Sequence, residues 1–561
     1  MYLLYIYGGR EMRLVIIGAV AAGTSAAAKA RRNNEQAEIV IYEKDSFISY
    51  SGCGMPYFIG GEVDSIDDLT PRNPAFFKSK YNVDIFTLHE VLSINPNQKT
   101  LEVKDLTSGE VFTDQYDKLI IATGASSVIP PIKGADNGNV FTLRNINDMI
   151  RIKNFIDQNT PQTAAIIGTG FIGLEVCENL KRLGIEVTMI ERLPQVTPGL
   201  DSDMAVYVID HLKKKGVTVF IGASATELTE NAVFLSDGTE IKADLILLST
   251  GVRPNTALAK QAGIEIGVTG AIKVDNNMKT NLQDIYACGD CIEQFHVVTG
   301  KPVYRPMGST ANKTGRIAGD SITGGNLTFR GILGTGIFKI FELTVAQTGL
   351  SEREAKEQGY EVVICHNIKP NKPEYLGGKE MVIKGIADKN SGRLLGVQIV
   401  GYEGVDKRID VFVTAITFKA NVEDLFHLDL AYAPPFSTTK DPVMYTGMIL
   451  DNAINNGRKL ITADGLDHII QSGQKYVLID ARTTSQYEKD HIETAQNVPH
   501  AKLRDSINEL EHDAIAITYC NKGVTGNAVQ NILLNNGFKE VYNLSGGHKQ
   551  YSKINKGDAK A

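Results

Sequence analysis

The sequence predicts an α/β protein: two Rossmann-like dinucleotide-binding units, then a mixed α+β segment, then a smaller α/β module at the C-terminal end. Three observations predict it. Arg13–Gly18 and Thr163–Ile167 are short, wholly apolar runs, each leading through a small-residue turn into a helical stretch, as a buried parallel strand and its crossover helix do. The next strand of each unit ends on an acid, Glu43 or Glu191. Far downstream, Tyr476–Asp480 and Ala516–Tyr519 are again buried-type strands, and the second runs straight into Cys520.

In chain order, the first turn is Gly18-Ala19-Val20-Ala21-Ala22-Gly23, in which Val20 and Ala22 replace glycines of the full fingerprint, and Ala19–Ala30 reads as a helix. Glu43, with Lys44 beside it, lies 20 residues beyond Gly23, the spacing of a carboxylate that holds an adenosine ribose. Next comes Ser49-Tyr50-Ser51-Gly52-Cys53-Gly54, a lone cysteine among small residues. Glycines on both sides admit other groups to the sulfur, and small neighbours at a helix start are expected to lower the thiol's pKa. A small buried hydrophobe is the plainer use of such a cysteine.

The second unit has the fuller fingerprint, Gly168-Thr169-Gly170-Phe171-Ile172-Gly173, followed by a helix over Glu175–Leu183 and a strand ending at Glu191, 18 residues past Gly173. Loop amides and a helix N-terminus suit a pyrophosphate there. A carboxylate at Glu191 accepts from a ribose 2′-OH and repels a 2′-phosphate, which favours NADH over NADPH.

At 561 residues the chain has room for about three to four domains. A hydrophobic content of 43 % with 22 % charged residues is that of an ordinary globular protein. The formal charge of −7 excludes a nucleic-acid partner, and no apolar run is long enough to span a membrane. Met1–Arg10 is apolar but lacks the basic region of a secretory signal, and Met12 is a second candidate start. Six cysteines scattered over this length point to a reducing cytoplasm, not a disulfide framework. The Cys288-x-x-Cys291 pair lacks a second ligand pair for zinc, so these residues are assigned to packing and no metal is expected.

Ala122-Thr123-Gly124 and Ser249-Thr250-Gly251 each close an apolar strand, and Asn281–Asp290 reads NLQDIYACGD. With the two dinucleotide turns and Cys53, these segments give residues 12–450 a strong resemblance to the pyridine nucleotide-disulfide oxidoreductases. The resemblance implies FAD at the first unit, with Gly18, Ala22, Gly23, Glu43, Lys44, Thr123, Gly124 and Asp290 around it, the aspartate at the ribityl chain. NADH, or NADPH, is implied at the second, with Gly168, Gly170, Gly173, Glu191 and Gly251. It further implies an FAD domain split into 12–145 and 251–328 around a nicotinamide domain at 146–250, and a dimerisation domain at 329–450.

Members with a redox dithiol carry two cysteines on one helix, and this chain has only Cys53. Peroxidase and oxidase members carry a histidine where Ala21 stands. The chain therefore resembles the coenzyme A-disulfide reductases and their persulfide-reducing relatives. That resemblance implies coenzyme A contacts at Ser25, Arg32 and Ser49, and a phosphate contact at Lys440. It also implies a homodimer in which Tyr432, in Ala431–Phe436, and Tyr375 serve the partner's Cys53. Gly52 replaces that subgroup's asparagine.

Asn452, Asn455, Asn456 and Gly457 mark residues 451–465 as a linker. Beyond it, Asp480-Ala481-Arg482, the loop Cys520–Gly526 before a helix at Asn527–Asn535, and Leu544-Ser545-Gly546-Gly547 give residues 461–551 a resemblance to rhodanese domains, with the module placed at 466–555. This makes Cys520 the sulfur-accepting cysteine. Thr525 stands where many members have an arginine, and Lys522 is the candidate to supply the charge. The expected activity is an NADH-dependent reductase of coenzyme A persulfide, small persulfides or polysulfide. A coenzyme A-disulfide reductase is the nearest alternative, and a sulfur carrier or redox sensor and a water-forming NADH oxidase are more distant ones.

Overall fold

The computed structural model describes residues 12–556, so Met1–Arg10 lies outside the described residues. The described residues form two compact units, one reaching Thr188 and including Ser224–Ile332, the other made of Met189–Ala223 and the residues from Leu333 onward.

The first unit is organised on a parallel sheet in the order Ile285–Ala287, Lys118–Ile121, Arg13–Ile17, Glu38–Glu43, Val83–Thr87. Its two central strands are apolar over their middles because both faces are covered: Leu14, Val15, Ile16, Leu119, Ile120 and Ile121 are all fully buried. The helix that follows the first turn runs Ala21–Asn33, and its alanines are set by the helix Gly308–Ile322. A Cβ on Gly315 or Gly319 would lie 2.2 Å from the carbonyl oxygen of Ala22 or Ala26, so only small residues permit this approach. The helix starts two residues later than expected because Gly18, at φ +105°, turns the chain against the carbonyl of Ala122, where a Cβ would sit 2.3 Å away. The second fingerprint repeats the device. Thr163–Ile167 pairs in parallel with Leu245–Leu248, and a Cβ on Gly168 would lie 2.2 Å from the Ser249 carbonyl oxygen. The helix there spans Phe171–Arg182, capped by Gly170.

The second unit holds an antiparallel sheet in the order Gly336–Ile340, Leu343–Gly349, Leu394–Gly401, Glu380–Asp388, Val362–Pro370. Helices Val405–Thr417 and Pro442–Asn455 pack on it. A parallel sheet follows in the order Leu460–Ile461, Val541–Leu544, Ile515–Tyr519, Tyr476–Asp480, Gln496–Asn497. Residues 451–465, expected to be a linker, are mostly structured. The helix continues to Asn455, Leu460–Ile461 joins the second sheet, and a new helix begins at Ala463. The asparagines that suggested a tether are helix-end residues: Asn455 and Asn456 both donate to the Asp451 carboxylate.

Side chains of that unit tie its two sheets together. The His366 backbone N–H donates to Ser545 Oγ at 2.7 Å, and the His366 ring bridges Ser545 Oγ at 3.0 Å and Asp203 Oδ2 at 2.8 Å. Lys384 is fully buried, with Asp201, Asp203 and Glu352 oxygens at 3.1, 2.8 and 2.7 Å. Among the described residues no helix is long and apolar enough to cross a membrane.

Candidate active site

Two cavities open on the first dinucleotide turn. The larger, about 1070 Å³, is lined by seven of the residues singled out for the first dinucleotide: Gly18, Ala22, Glu43, Lys44, Thr123, Gly124 and Asp290. Gly23 is not on its wall. Its missing side chain serves packing, since a Cβ would lie 1.9 Å from the Gly18 carbonyl oxygen. Glu43 ends its strand with Oε2 accepting from the Ala19 amide at 2.7 Å and Oε1 from Asp45 at 2.9 Å, so turn and acid form one rigid piece. Burial nevertheless pushes the Glu43 carboxyl up. Sequence reasoning missed Arg144, which lines the same cavity. Its guanidinium donates to Asp290 Oδ2 at 2.8 Å and to the Ala125 carbonyl at 2.9 Å, fixing the aspartate's direction. An arginine isolated between motifs carries no sequence signal of this role.

Cys53 sits in a single 3₁₀ turn, Gly52–Gly54, ahead of the short helix Met55–Ile59. The expectation of a lowered thiol pKa is not met. The residue is exposed, yet the surrounding protein mass and the carboxylate of Glu175 push the thiol up; Arg144 opposes them and Asp290 adds to the rise. One short helix does not outweigh that desolvation and the carboxylate beside it. A Cβ on Gly52 would make only ordinary contact, with Met55 Cε at 3.8 Å and Tyr50 Cε2 at 4.0 Å, whereas one on Gly54 would have to push the Leu69 side chain aside, meeting its Cδ2 at 2.3 Å. Burial, reinforced by Glu178, raises the Glu175 carboxyl to about 7. Below that pH Glu175 is neutral and above it repels a thiolate. Glu175→Gln is therefore expected to shift the pH midpoint of Cys53 alkylation downward, and a rate profile with iodoacetamide on the oxidised holoprotein checks it; no shift would remove Glu175 from the site.

The second cavity, about 560 Å³, shares Val20, Ala21 and Tyr50 with the first and brings together Ser25, Arg32 and Ser49. Ser49 adopts φ +46°, a left-handed conformation costly for a residue with a Cβ, held by its amide bond to the Ala19 carbonyl at 2.9 Å. Ser25 Oγ donates to Asn312 Oδ1 at 2.7 Å. Arg72 and Arg316, missed in the sequence, add two cations. Arg32 lies 5.6 Å over the Tyr81 ring and Arg72 5.8 Å over Phe76.

Of the residues expected at the second dinucleotide, Gly168, Gly170 and Gly173 form the strand-to-helix turn, and Gly251 takes φ +102° just past the Leu245–Leu248 strand. Glu191 is buried, with Oε1 accepting from the Leu193 amide at 2.9 Å. Cys288 and Cys291 are wholly buried, and Cys291 Sγ contacts the Cys288 carbonyl at 3.2 Å. Burial raises both thiols, Cys291 to about 11.

In the second unit, Tyr375 lies in the turn Glu374–Leu376 and is 77 % exposed; Tyr432 is 49 % exposed. The segment carrying Tyr432 and Lys440 is anchored by a buried pair that the sequence did not announce. Arg408 donates to Asp441 Oδ2 at 2.8 Å and to the Asn371 carbonyl at 2.9 Å, and Asp441 in turn caps the helix Pro442–Asn455.

Cys520 ends the strand Ile515–Tyr519 and is buried. The helix after it begins at Val524 with Gly523 as cap at φ +93°, three residues earlier than expected, so the loop is tighter than the sequence suggested. The small residue at 547 is obligatory, since a Cβ there would come 2.2 Å from the Cys520 carbonyl oxygen. Arg482 is buried and bidentate on Asp480, and it lies 5.5 Å over the Tyr519 ring. Lys522, expected to charge the loop, is instead ion-paired with Glu380, which also binds Lys549.

Parallel sheets with two dinucleotide turns, and a cysteine beside the first, define a two-dinucleotide redox protein fused to a cysteine-loop module. The chain belongs to the pyridine nucleotide-disulphide oxidoreductases: that family's model matches residues 12–311, its dimerisation domain residues 336–442, and a rhodanese-like domain residues 462–554. The family implies FAD and a nicotinamide nucleotide, and the large cavity with its ribose-type acid and aspartate fits the former. Among curated proteins, the chain is 37 % identical to an NADH oxidase of Methanocaldococcus jannaschii over 77 % of this chain and 97 % of that one. It is equally 37 % identical to an NAD(P)H sulfur oxidoreductase (CoA-dependent) of Pyrococcus furiosus, over 78 % and 99 %. Among solved structures, reduced CoADR-RHD of Bacillus anthracis superposes with a TM-score of 0.95 at 37 % identity, covering 97 % of this chain and 98 % of that one. A NAD-dependent persulfide reductase from A. fulgidus gives 0.89 at 36 %, covering 96 % and 100 %.

Proposed function

We propose that this protein is an FAD-dependent NAD(P)H reductase with one redox cysteine, Cys53, that reduces coenzyme A persulfide, small persulfides or polysulfide to thiol and sulfide, with Cys520 handling sulfane sulfur. The observation that carries the reading is the second cavity. Arg32, Arg72 and Arg316 supply cations for phosphates, Phe76 and Tyr81 supply ring faces for a purine, and Ser49 and Ser51 bring its wall to within two residues of Cys53. That set suits a phosphorylated nucleotide thiol. The relative named CoA-dependent and the solved structures that extend over the rhodanese-like domain support the same choice.

Bound FAD would supply the two-electron link between the nicotinamide and the cysteine. The Cys53 thiolate attacks the inner sulfur of R–S–SH, the S–S bond breaks, hydrosulfide leaves with the electron pair, and Cys53–S–S–R remains; reduction then returns the Cys53 thiolate and R–SH. Tyr432, and less directly Tyr375, would serve as phenol donors to the leaving sulfur across a homodimer. Exposed Phe418, Phe426, Phe436 and Leu376 on the dimerisation domain support such a pairing. Lys440 would hold a phosphate. Glu191 would favour NADH. The free thiols of all six cysteines suit a reducing cytoplasm.

Reduction of coenzyme A disulfide is the second reading, with R–S⁻ leaving in place of hydrosulfide; the rhodanese-like domain favours the persulfide. Ala21 offers no proton donor for the chemistry of an oxidase. Anaerobic NADH oxidation with coenzyme A persulfide, coenzyme A disulfide and polysulfide offered in turn, sulfide being quantified, tests the reading. Preference for the disulfide without sulfide release would overturn it. Replacing both Arg32 and Arg72 by methionine is expected to raise KM for the coenzyme A substrate roughly ten-fold or more, with kcat within about two-fold, since a lost charged contact costs about 1.5–3 kcal/mol.

A further inference from the structure

Sulfur transfer to Cys520 leaves an anion at the end of a strand. The Cys520 thiolate bonds the outer sulfur of R–S–SH, the S–S bond breaks, R–S⁻ leaves with the pair, and Cys520–S–SH sheds its proton to solvent. Among the described residues the amides of Val524, Thr525 and Gly526, the first turn of the helix Val524–Asn535, have no acceptor. The attraction of such a turn for an anion fades within about one turn. Its position relative to the end of the strand Ile515–Tyr519 therefore decides what it contributes. Two neighbouring side chains fix that position. Thr518 and Asn543 are register partners on the parallel strands Ile515–Tyr519 and Val541–Leu544. Ala516 and Val541, two residues back on each strand, share a buried cluster with Val529 and Leu533 of the helix, so Thr518 and Asn543 face it too. Thr518 Oγ1 donates to the Gly526 carbonyl at 2.9 Å and reaches the Tyr542 carbonyl at 3.2 Å, and Asn543 Nδ2 donates to the Gly523 carbonyl at 3.0 Å. The first bond ties the helix start to the residue two before Cys520; the second holds the left-handed cap, Gly523 at φ +93°. The other side of the Asn543 amide is committed as well. Its Oδ1 is buried without a donor and lies against Gly526, where a Cβ would run into it. The Cys520 and Asn521 carbonyls accept from the His548 and Lys549 amides at 2.8 and 3.0 Å. With the carbonyls of 520, 521, 523 and 526 all engaged, the peptide planes of the loop are set.

The geometry points to Thr518 and Asn543 as positioning residues for sulfur transfer at Cys520: they hold the first turn of the following helix at the strand end, where its amides meet the persulfide anion. The inference rests on the reading of Cys520 as the sulfur acceptor.

The test is sulfur transfer from glutathione persulfide to cyanide by the FAD-loaded full chain carrying Cys53→Ser, alone and combined with Thr518→Val, Thr518→Ser, Asn543→Leu or Cys520→Ser. FAD content and melting temperature monitor folding; Asn543→Leu leaves the Gly523 carbonyl its bond from the Asn527 amide, 2.9 Å in the parent, so the helix keeps its start. Thr518→Val, which keeps the shape and removes the hydroxyl, is expected to lower kcat about five-fold or more, with KM for the persulfide no more than about two-fold above the parent's. The Cys520 persulfide, read by intact mass, is lost about three-fold faster or more in that variant. Thr518→Ser restores both to within about two-fold of the parent, and Asn543→Leu behaves as Thr518→Val does. An unchanged kcat in either variant that keeps its fold, a rise in KM with kcat kept, or a Thr518→Ser as slow as Thr518→Val would overturn the inference. A parent that transfers no sulfur, or transfer that survives Cys520→Ser, would instead overturn the reading of Cys520 itself, and the role of the pair with it.

Discussion

Cys53→Ser is expected to abolish NADH-dependent release of sulfide from coenzyme A persulfide, with a fall on the order of 10³-fold or more, as for removal of a nucleophile from an acting unit. FAD binding survives, because the cysteine is not on the wall of the large cavity and Gly54, not Cys53, carries the packing of the turn against Leu69. Stopped-flow absorbance separates the steps: NADH bleaches the oxidised protein in a single turnover, and turnover with acceptor then stops. A residual rate above about a tenth of the parent's would move the chemistry elsewhere. No other cysteine of the first unit is placed to replace it, since Cys177, Cys288 and Cys291 are fully buried and burial raises each thiol.

Lys384→Met is expected to destabilise the second unit by about 3–5 kcal/mol, the range for deleting one partner of a buried ion pair. The variant leaves Asp201, Asp203 and Glu352 facing one another with no buried ammonium between them. Burial acts to raise the Asp203 carboxyl, but Lys384 and then His366 overcome it and hold the group well below the carboxylate range. A depressed acid stabilises above its unfolded pKa, near 4, and loses that contribution as pH falls; the raised ammonium of Lys384 stabilises below about 10 and loses it as pH climbs. The parent's melting temperature is therefore expected to be flat between those limits and to fall on the acid side. In Lys384→Met the acid-side fall should vanish or reverse, since protonation then relieves repulsion. Calorimetry across pH 3–9 checks both. A melting temperature unchanged at pH 7 would mean that water replaces the lysine.

What could be read in advance is what local chemistry dictates. Gly18 and Gly168 were legible because a left-handed turn pressed against a carbonyl admits nothing else, and Glu43 because its distance from that turn is fixed by one helix and one strand. Arg144 and Arg316 were not, because Asp290 and the rest of the second cavity come from distant stretches of the chain, and Arg72, although only four residues from the Phe76 ring it covers, sits in a stretch with no motif to mark it. The thiol of Cys53 went the wrong way because the helix start is local, while the burial and the Glu175 carboxylate that raise it come from distant parts of the chain. The asparagines of residues 451–465 misled because turn formers and helix-end residues share a composition.

The pairing of His366 with Ser545 has a consequence for how such a fusion can be taken apart. The two curated relatives reported above match about 77 and 78 % of this chain while being almost wholly covered themselves. Here the seam is load-sharing: cutting after residue 456 would take Ser545 from the His366 ring and Gln550 from the Asp203 carbonyl in a single stroke. The C-terminal module is a separate unit of inheritance but not a separate unit of cooperativity, and the dimerisation sheet can be expected to melt with it and not before it.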